Sequence, residues 1–277
     1  MAGLKDLDAA DYQAALEALK QNDTFGATPE ERLATLATEK RLVLIATIIA
    51  CVVAAWGLLW PHPHEWAVGA NVAAFALVIV ATVLKQGRWR LDAQKNDPRP
   101  TAAIALWAPA VALAARAIFD EETFDWLAWL GWAAAVGVAV ALGANALFAE
   151  LRKPAGLILT GILGAVFGLG AIGEANASLD TAQAQVFQAQ IIDQYESHGR
   201  STSYDLVLGP WGPSRGGSQS VSYEMYAAHR AGDTICIGFH PGALHIRWYV
   251  LQECAAATQA DKPADTAEPF DKPPADK

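Results

Sequence analysis

The chain has 277 residues, 53% of them hydrophobic and only 18% charged, with a mean hydropathy of +0.20 and a net charge of −9. A soluble domain carries roughly 25% charged residues, so the composition excludes an ordinary soluble enzyme and a disordered chain. The acidic balance argues against a dedicated nucleic-acid binder.

Residues 6–20 are rich in Ala, Leu and Glu and predict a short helix with acidic residues in its first turns. Tyr12, Leu16 and Leu19 make a narrow apolar stripe on it. The stripe either docks a cytoplasmic partner or lies on the membrane or on loops, and its modest amphipathicity favours the second. Residues 22–27 are a break. Thr28-Pro29-Glu30-Glu31 then supplies an N-cap, a Pro at the first helical position and a capping-box Glu. This second helix is expected to run on into an apolar span.

Five apolar runs follow: 42–60, 67–84, 102–119 (interrupted by Arg116), 126–148 and 155–173. A hydrocarbon core about 30 Å thick needs about 20 apolar helical residues, so each run is a candidate transmembrane helix. None shows the polar face of a soluble core helix. The first run begins after some 40 polar residues and has full span length, so it is expected to act as an uncleaved anchor.

Basic residues set the expected orientation. The segments before, between and after the first four runs hold 5, 0, 5, 0 and 2 Lys or Arg residues in turn. Short cytoplasmic loops are the basic ones, so the N-terminus is expected inside and everything after the fifth span outside. The composition fits a bacterial inner membrane, with the lipid bilayer as the first partner. Trp56, Trp60, Trp66, Trp126 and Trp129 fall near the outer interface on this reading, where amphipathic rings prefer to sit.

Beyond residue 183 the apolar period changes to two. Phe187, Ala189, Ile191 and Tyr195 fall on one face and Gln188, Gln190 and Gln194 on the other. Further strands are expected at 202–208, 219–223, 234–239 and 243–252, with a short helix or turn at 226–231. The expected architecture is therefore an α-helical integral membrane protein of five transmembrane helices with a small C-terminal all-β domain, a barrel or sandwich of about five strands. Its segments are a cytoplasmic helical stretch (1–41), the spans (42–176), an extracytoplasmic β domain (177–254) and a disordered Pro-rich acidic tail (255–277).

Ala231-Gly232-Asp233-Thr234-Ile235-Cys236 and Pro241-Gly242-Ala243-Leu244-His245-Ile246-Arg247-Trp248-Tyr249 each open a strand on a turn signal. In this they resemble the C-terminal β domain of uncharacterised bacterial multispanning inner-membrane proteins. The resemblance covers about a quarter of the chain and implies the architecture; that domain has no known function, so it implies no activity.

Candidate sites are few. Cys51 reads as a small apolar residue of the first span. Cys236 and Cys254 fall in the compartment expected to be oxidising and either bridge or remain thiols. A hairpin about 240–243 would hold them roughly 23 Å apart at about 3.3 Å per residue, so a bridge requires the chain to bend back after Tyr249. His62 and His64 form a His-x-His pair beside Glu65, either two metal ligands or a solvated turn; no third ligand is evident.

Arg116 stands one turn before Asp120, and Glu174 lies at the outer end of the fifth span. The three read either as an ion pathway or as interfacial groups that snorkel to water. Asn71 and Asn145 are candidate interhelical hydrogen-bonders, and Pro109 a candidate kink. Gly164 and Gly168 form a Gly-x-x-x-Gly step, either intramolecular packing or a homo-oligomer seam. The Gly212–Gly217 loop follows a strand with no helix behind it, so it reads as a hairpin loop, not an anion nest. No nucleophile elbow, metalloprotease, P-loop or dinucleotide fingerprint is present, so no catalytic residue and no cofactor is expected. The expected function is non-catalytic: a periplasmic β domain that binds or senses a protein partner. The alternative is a small transporter or channel component.

Overall fold

A computed structural model describes residues 2–85, 87–91, 97–120, 122–198 and 202–254. The tail expected to be disordered, 255–277, lies outside the described residues, as does Lys95 of the basic 85–101 loop.

The chain opens with α1 (Ala2–Leu19), a 3-10 turn at Asp23–Phe25, and α2 (Pro29–Leu59). The capping box is formed: Thr28 accepts from the Glu31 N–H, and the Glu31 carboxylate accepts the Thr28 N–H. Leu16 and Leu19 of α1 pack against Phe25 and Leu36, so the predicted stripe faces the turn and α2. Arg32 is buried and ties the turn together through the Gly26 and Ala27 carbonyls and the Asp23 carboxylate. At roughly 1.5 Å per residue, the 31 residues of α2 span about 46 Å, more than a bilayer core. Its charged first turns therefore project beyond the apolar part.

Next come α3 (His64–Leu84), α4 (Ala103–Asp120), α5 (Trp126–Leu147) and α6 (Pro154–Ser178). With α2 they are, among the described residues, five helices long and apolar enough to cross a membrane, as in a multi-pass membrane protein. α4 packs against α2, α3 and α6, and α6 packs against α5. The centre of this arrangement is small-residue packing: Ala105, Ala110, Ala112 and Ala117 of α4 are completely buried. Leu44, Ile48, Leu77, Leu127, Leu142 and Ile158 are exposed, the pattern of a surface solvated by lipid. Trp129 departs from the expected interfacial belt. It is wholly buried, with its indole N–H donated to the Leu169 carbonyl, whereas Trp60 and Trp66 are exposed. α6 also runs past the expected end at 173, which places Glu174 inside the helix.

The described residues hold six strands where about five were expected: β1 (Glu122–Thr123), β2 (Gln185–His198), β3 (Thr202–Leu208), β4 (Gly217–Val221), β5 (Thr234–His240) and β6 (Trp248–Gln252). They form one antiparallel sheet in the order β1-β6-β5-β2-β3-β4. A short helix, α7 (Tyr223–Ala228), precedes β5. The chain divides into two compact units, Met1–Gln185 with Phe239–Val250, and Val186–Gly238 with Leu251–Lys277. The division falls within β5 and β6.

In the first unit, 243–247 was expected to begin the last strand and does not. Its backbone is held by one side chain instead. Leu244 N–H donates to Asn176 Oδ1 at 3.0 Å, Asn176 Nδ2 donates to the Ile246 carbonyl at 2.8 Å, and Ala243 N–H donates to the Asn176 carbonyl at 3.1 Å. Gly242 makes this approach feasible: at φ +76°, a Cβ there would lie 2.2 Å from the Ile246 carbonyl oxygen. The strand starts only at Trp248, where Tyr249 and Trp248 pair with Glu122 and Thr123 of β1.

In the second unit, β2, β3 and β4 form a meander in which Tyr204 pairs with Val221 and Leu208 with Gly217. Ala189, Ile191, Leu206, Leu208, Ile235 and Ile237 make its core. A bulge between Ile191 and Asp193 reverses the inward-facing phase of β2. That corrects the expected face: Tyr195 is exposed, while Gln194 has a buried side-chain oxygen.

Candidate functional site

One cluster of ionisable side chains lies within the helices of the first unit. His64 opens α3, Arg116 and Asp120 lie one turn apart on α4, and Glu174 lies in the penultimate turn of α6. Glu174 is 2% exposed, and its Oε2 lies 2.9 Å from His64 Nε2. Arg116 and Asp120 form an ion pair. Glu174 Oε1 and Arg116 Nε are buried and have no hydrogen-bond partner among the described residues. Asn71 Oδ1 is equally unpartnered, while its Nδ2 donates to the Ala67 carbonyl and across to the Val53 carbonyl of α2. A cavity of about 10 Å³ lies beside them, lined by His64, Asn71 and Arg116 among others. A carboxyl and an imidazole in direct contact can hold or pass a proton, and the ion pair beside them fixes the local field.

The His-x-His pair is therefore divided. His64 turns to Glu174, and the His62 ring lies edge-on to Trp60 at 6.2 Å. Among the described residues no group of three or more His, Cys, Asp or Glu side chains is placed to hold a metal. Gly164 and Gly168 are taken up within the chain, because a Cβ at either would lie 2.6–2.7 Å from Val140 or Val136 of α5. Asn145 offers only its carbonyl, to Arg152 Nε.

At the opposite ends of the helices, near the 85–101 loop, lies a cavity of about 600 Å³. Its walls come from α3, α4, α5 and α6, including Phe75, Leu106, Gly143, Leu159 and Leu163. Thr82 and Thr160 also line it, and their hydroxyls are already donated to the Val78 and Gly156 carbonyls. Lys153 is the charged residue of the lining.

Two carboxylates engage the neighbouring basic loop. Glu39 is buried and accepts from Lys85 at 2.9 Å and from the Trp89 indole at 2.7 Å, with Arg88 at 3.4 Å. Asp97 accepts from Arg99 and pairs with Arg90. Burial opposes ionisation of Asp97, and the Arg99 hydrogen bonds outweigh it and hold the carboxyl below its usual range. Sequence reasoning missed the Glu39 and Asp97 clusters. Their only sequence signal was an acid standing near several bases.

The first unit also carries a clamp on Arg247. Its guanidinium meets Asp125 through two bonds of 2.6 Å and its N–H donates to the same carboxylate at 3.1 Å. Those bonds hold Asp125 below the ordinary carboxylate range. Asp180 is held low as well, because the N–H groups of Ala182 and Gly242 and the Trp248 indole outweigh the effect of its burial.

In the second unit, Cys236 and Cys254 form a disulfide with their Cα atoms 4.9 Å apart. The bend expected after Tyr249 is not what brings them together: 241–247 stay out of the strands, and β6 begins only at Trp248. The Tyr204 ring packs against Tyr223 and Tyr226 at 5.1 and 5.0 Å, with Tyr223 well exposed beside the edge strand β4. The chain matches no known protein family, no curated protein and no solved structure.

Proposed function

We propose that this is a bacterial inner-membrane protein with a cytoplasmic N-terminus, presenting its β strands outside as a non-catalytic unit that binds or senses a protein partner. The observation that carries the reading is the Cys236–Cys254 disulfide, found on the side that the 5, 0, 5, 0, 2 alternation of basic residues assigns to the oxidising compartment. The resemblance to uncharacterised bacterial multispanning proteins belongs to the same proposal. The Tyr204, Tyr223 and Tyr226 rings offer the aromatic surface that protein interfaces favour, and β4 offers a strand edge.

Capture from solubilised membranes by the full chain, compared with a Tyr204→Ser/Tyr223→Ser variant, tests it. A partner retained by the wild type and lost with the variant supports the reading. Equal capture by both, or substrate turnover by the purified protein, contradicts it.

A second reading, a small transporter or channel component, is favoured by the contact of His64 with the buried Glu174. Proteoliposomes with an interior pH dye separate the two. Proton movement abolished by Glu174→Gln and by Arg116→Ala is the transporter's signature, and no movement above empty liposomes rejects it.

A further inference from the structure

We propose that the 600 Å³ cavity between α3, α4, α5 and α6 is a binding site for an anionic membrane lipid, with one acyl chain in the cavity and the acidic headgroup at Lys153 and Arg152. Four observations carry this. The volume falls within the roughly 300–1,000 Å³ of small-molecule sites. The walls are apolar and their two threonine hydroxyls are satisfied by backbone carbonyls, so the interior offers a ligand dispersion and no polar handle. The lining on α6 and its N-cap runs from Lys153 to Leu163, about 15 Å at roughly 1.5 Å per residue, which is half of a hydrocarbon core about 30 Å thick. The cavity is therefore one leaflet deep, with its charged end where a headgroup lies.

The fourth observation is charge. Lys85 and Arg88 meet Glu39, and Arg90 and Arg99 meet Asp97. Lys153 lines the cavity, and Arg152, its neighbour in the chain, donates to the Asn145 carbonyl. A lysine in the lining of an apolar cavity, with an arginine next to it in the chain, complements an acid headgroup and gives a zwitterionic one no advantage.

The test is native mass spectrometry of the full-length protein, delipidated in detergent and then offered dioleoyl phosphatidylglycerol, dioleoyl phosphatidylcholine or oleate. The wild type is expected to retain one phosphatidylglycerol, at least tenfold over phosphatidylcholine. Lys153→Glu is expected to erase that preference. Gly143→Leu is expected to abolish retention of any lipid, because Gly143 lines the cavity and a Cβ there meets nothing within 4 Å. Equal retention of the two phospholipids by the wild type, retention undisturbed by both variants, or preference for oleate over phosphatidylglycerol would overturn the proposal. Circular dichroism on each variant checks that the helices persist.

Discussion

Asp125 shows how much one side chain can organise. It closes the turn before α5, and it receives the backbone and side chain of Arg247 from 122 residues further along. The Arg247 bonds lower its pKa in the folded state, so the stabilisation is complete above the ordinary carboxylate range and is lost as pH falls through the lowered value. Arg247 is nearly half exposed, and solvent screening limits the contribution to about 1 kcal/mol. Asp125→Asn is expected to lower the thermal midpoint of the detergent-solubilised chain at pH 7. It is also expected to flatten the loss of stability between pH 5 and pH 3 relative to wild type. A parallel acid limb in the two proteins would remove Asp125 from the account. None of this was legible in the sequence. An Asp in an acidic loop and an Arg in an apparent strand give no sign that they meet. Glu174 was singled out in the sequence together with Arg116, but its depth was not legible: it follows the last strongly apolar residues, and α6 continues to Ser178 and buries it.

Among the elements, α5 and α6 pack through backbone approach. Gly164 and Gly168 leave no room for a Cβ against Val140 and Val136, so Gly164→Ala is expected to destabilise the helical unit by about 1–3 kcal/mol. Gly131→Ala on α5 meets nothing within 4 Å and is expected to be neutral or to stabilise by up to about 1 kcal/mol. Thermal unfolding of the two variants in one detergent checks the contrast, and equal effects would mean that the glycines are not the packing determinant.

In the second unit the disulfide closes a loop of sequence separation 18, worth about 3 kcal/mol. Thiol titration of the unfolded, unreduced chain is expected to find one thiol, Cys51, rising to three after reduction. Three thiols before reduction in protein taken from its native membrane would count against the bridge. The helices were legible because a span must be apolar along its whole length and its loops need not be. β3 was legible as a short run of strand formers between a Ser-His-Gly-Arg turn and a Gly/Pro-rich loop. β1 was not, since two residues carry no period, and the phase of β2 was lost at a bulge that no residue type announces.

For the whole molecule, the informative quantity in the sequence is the placement of 49 charged residues. Their absence marks five helices, and their sign is the ground on which we propose a side for each connection. The sequence could not show what the helices enclose. The 600 Å³ cavity and the His64–Glu174 contact arise from residues spread over four helices, none of them distinctive alone.

The central claim is the sidedness of the chain. It is tested most directly by paired reporter fusions at the N-terminus and after residue 254 in a Gram-negative host. Alkaline phosphatase is active only outside the inner membrane and green fluorescent protein fluoresces only inside it. The account predicts fluorescence without phosphatase activity at the N-terminus, and phosphatase activity without fluorescence after 254. Fluorescence after 254 would contradict it, because an even number of crossings or a reversed chain would then be required.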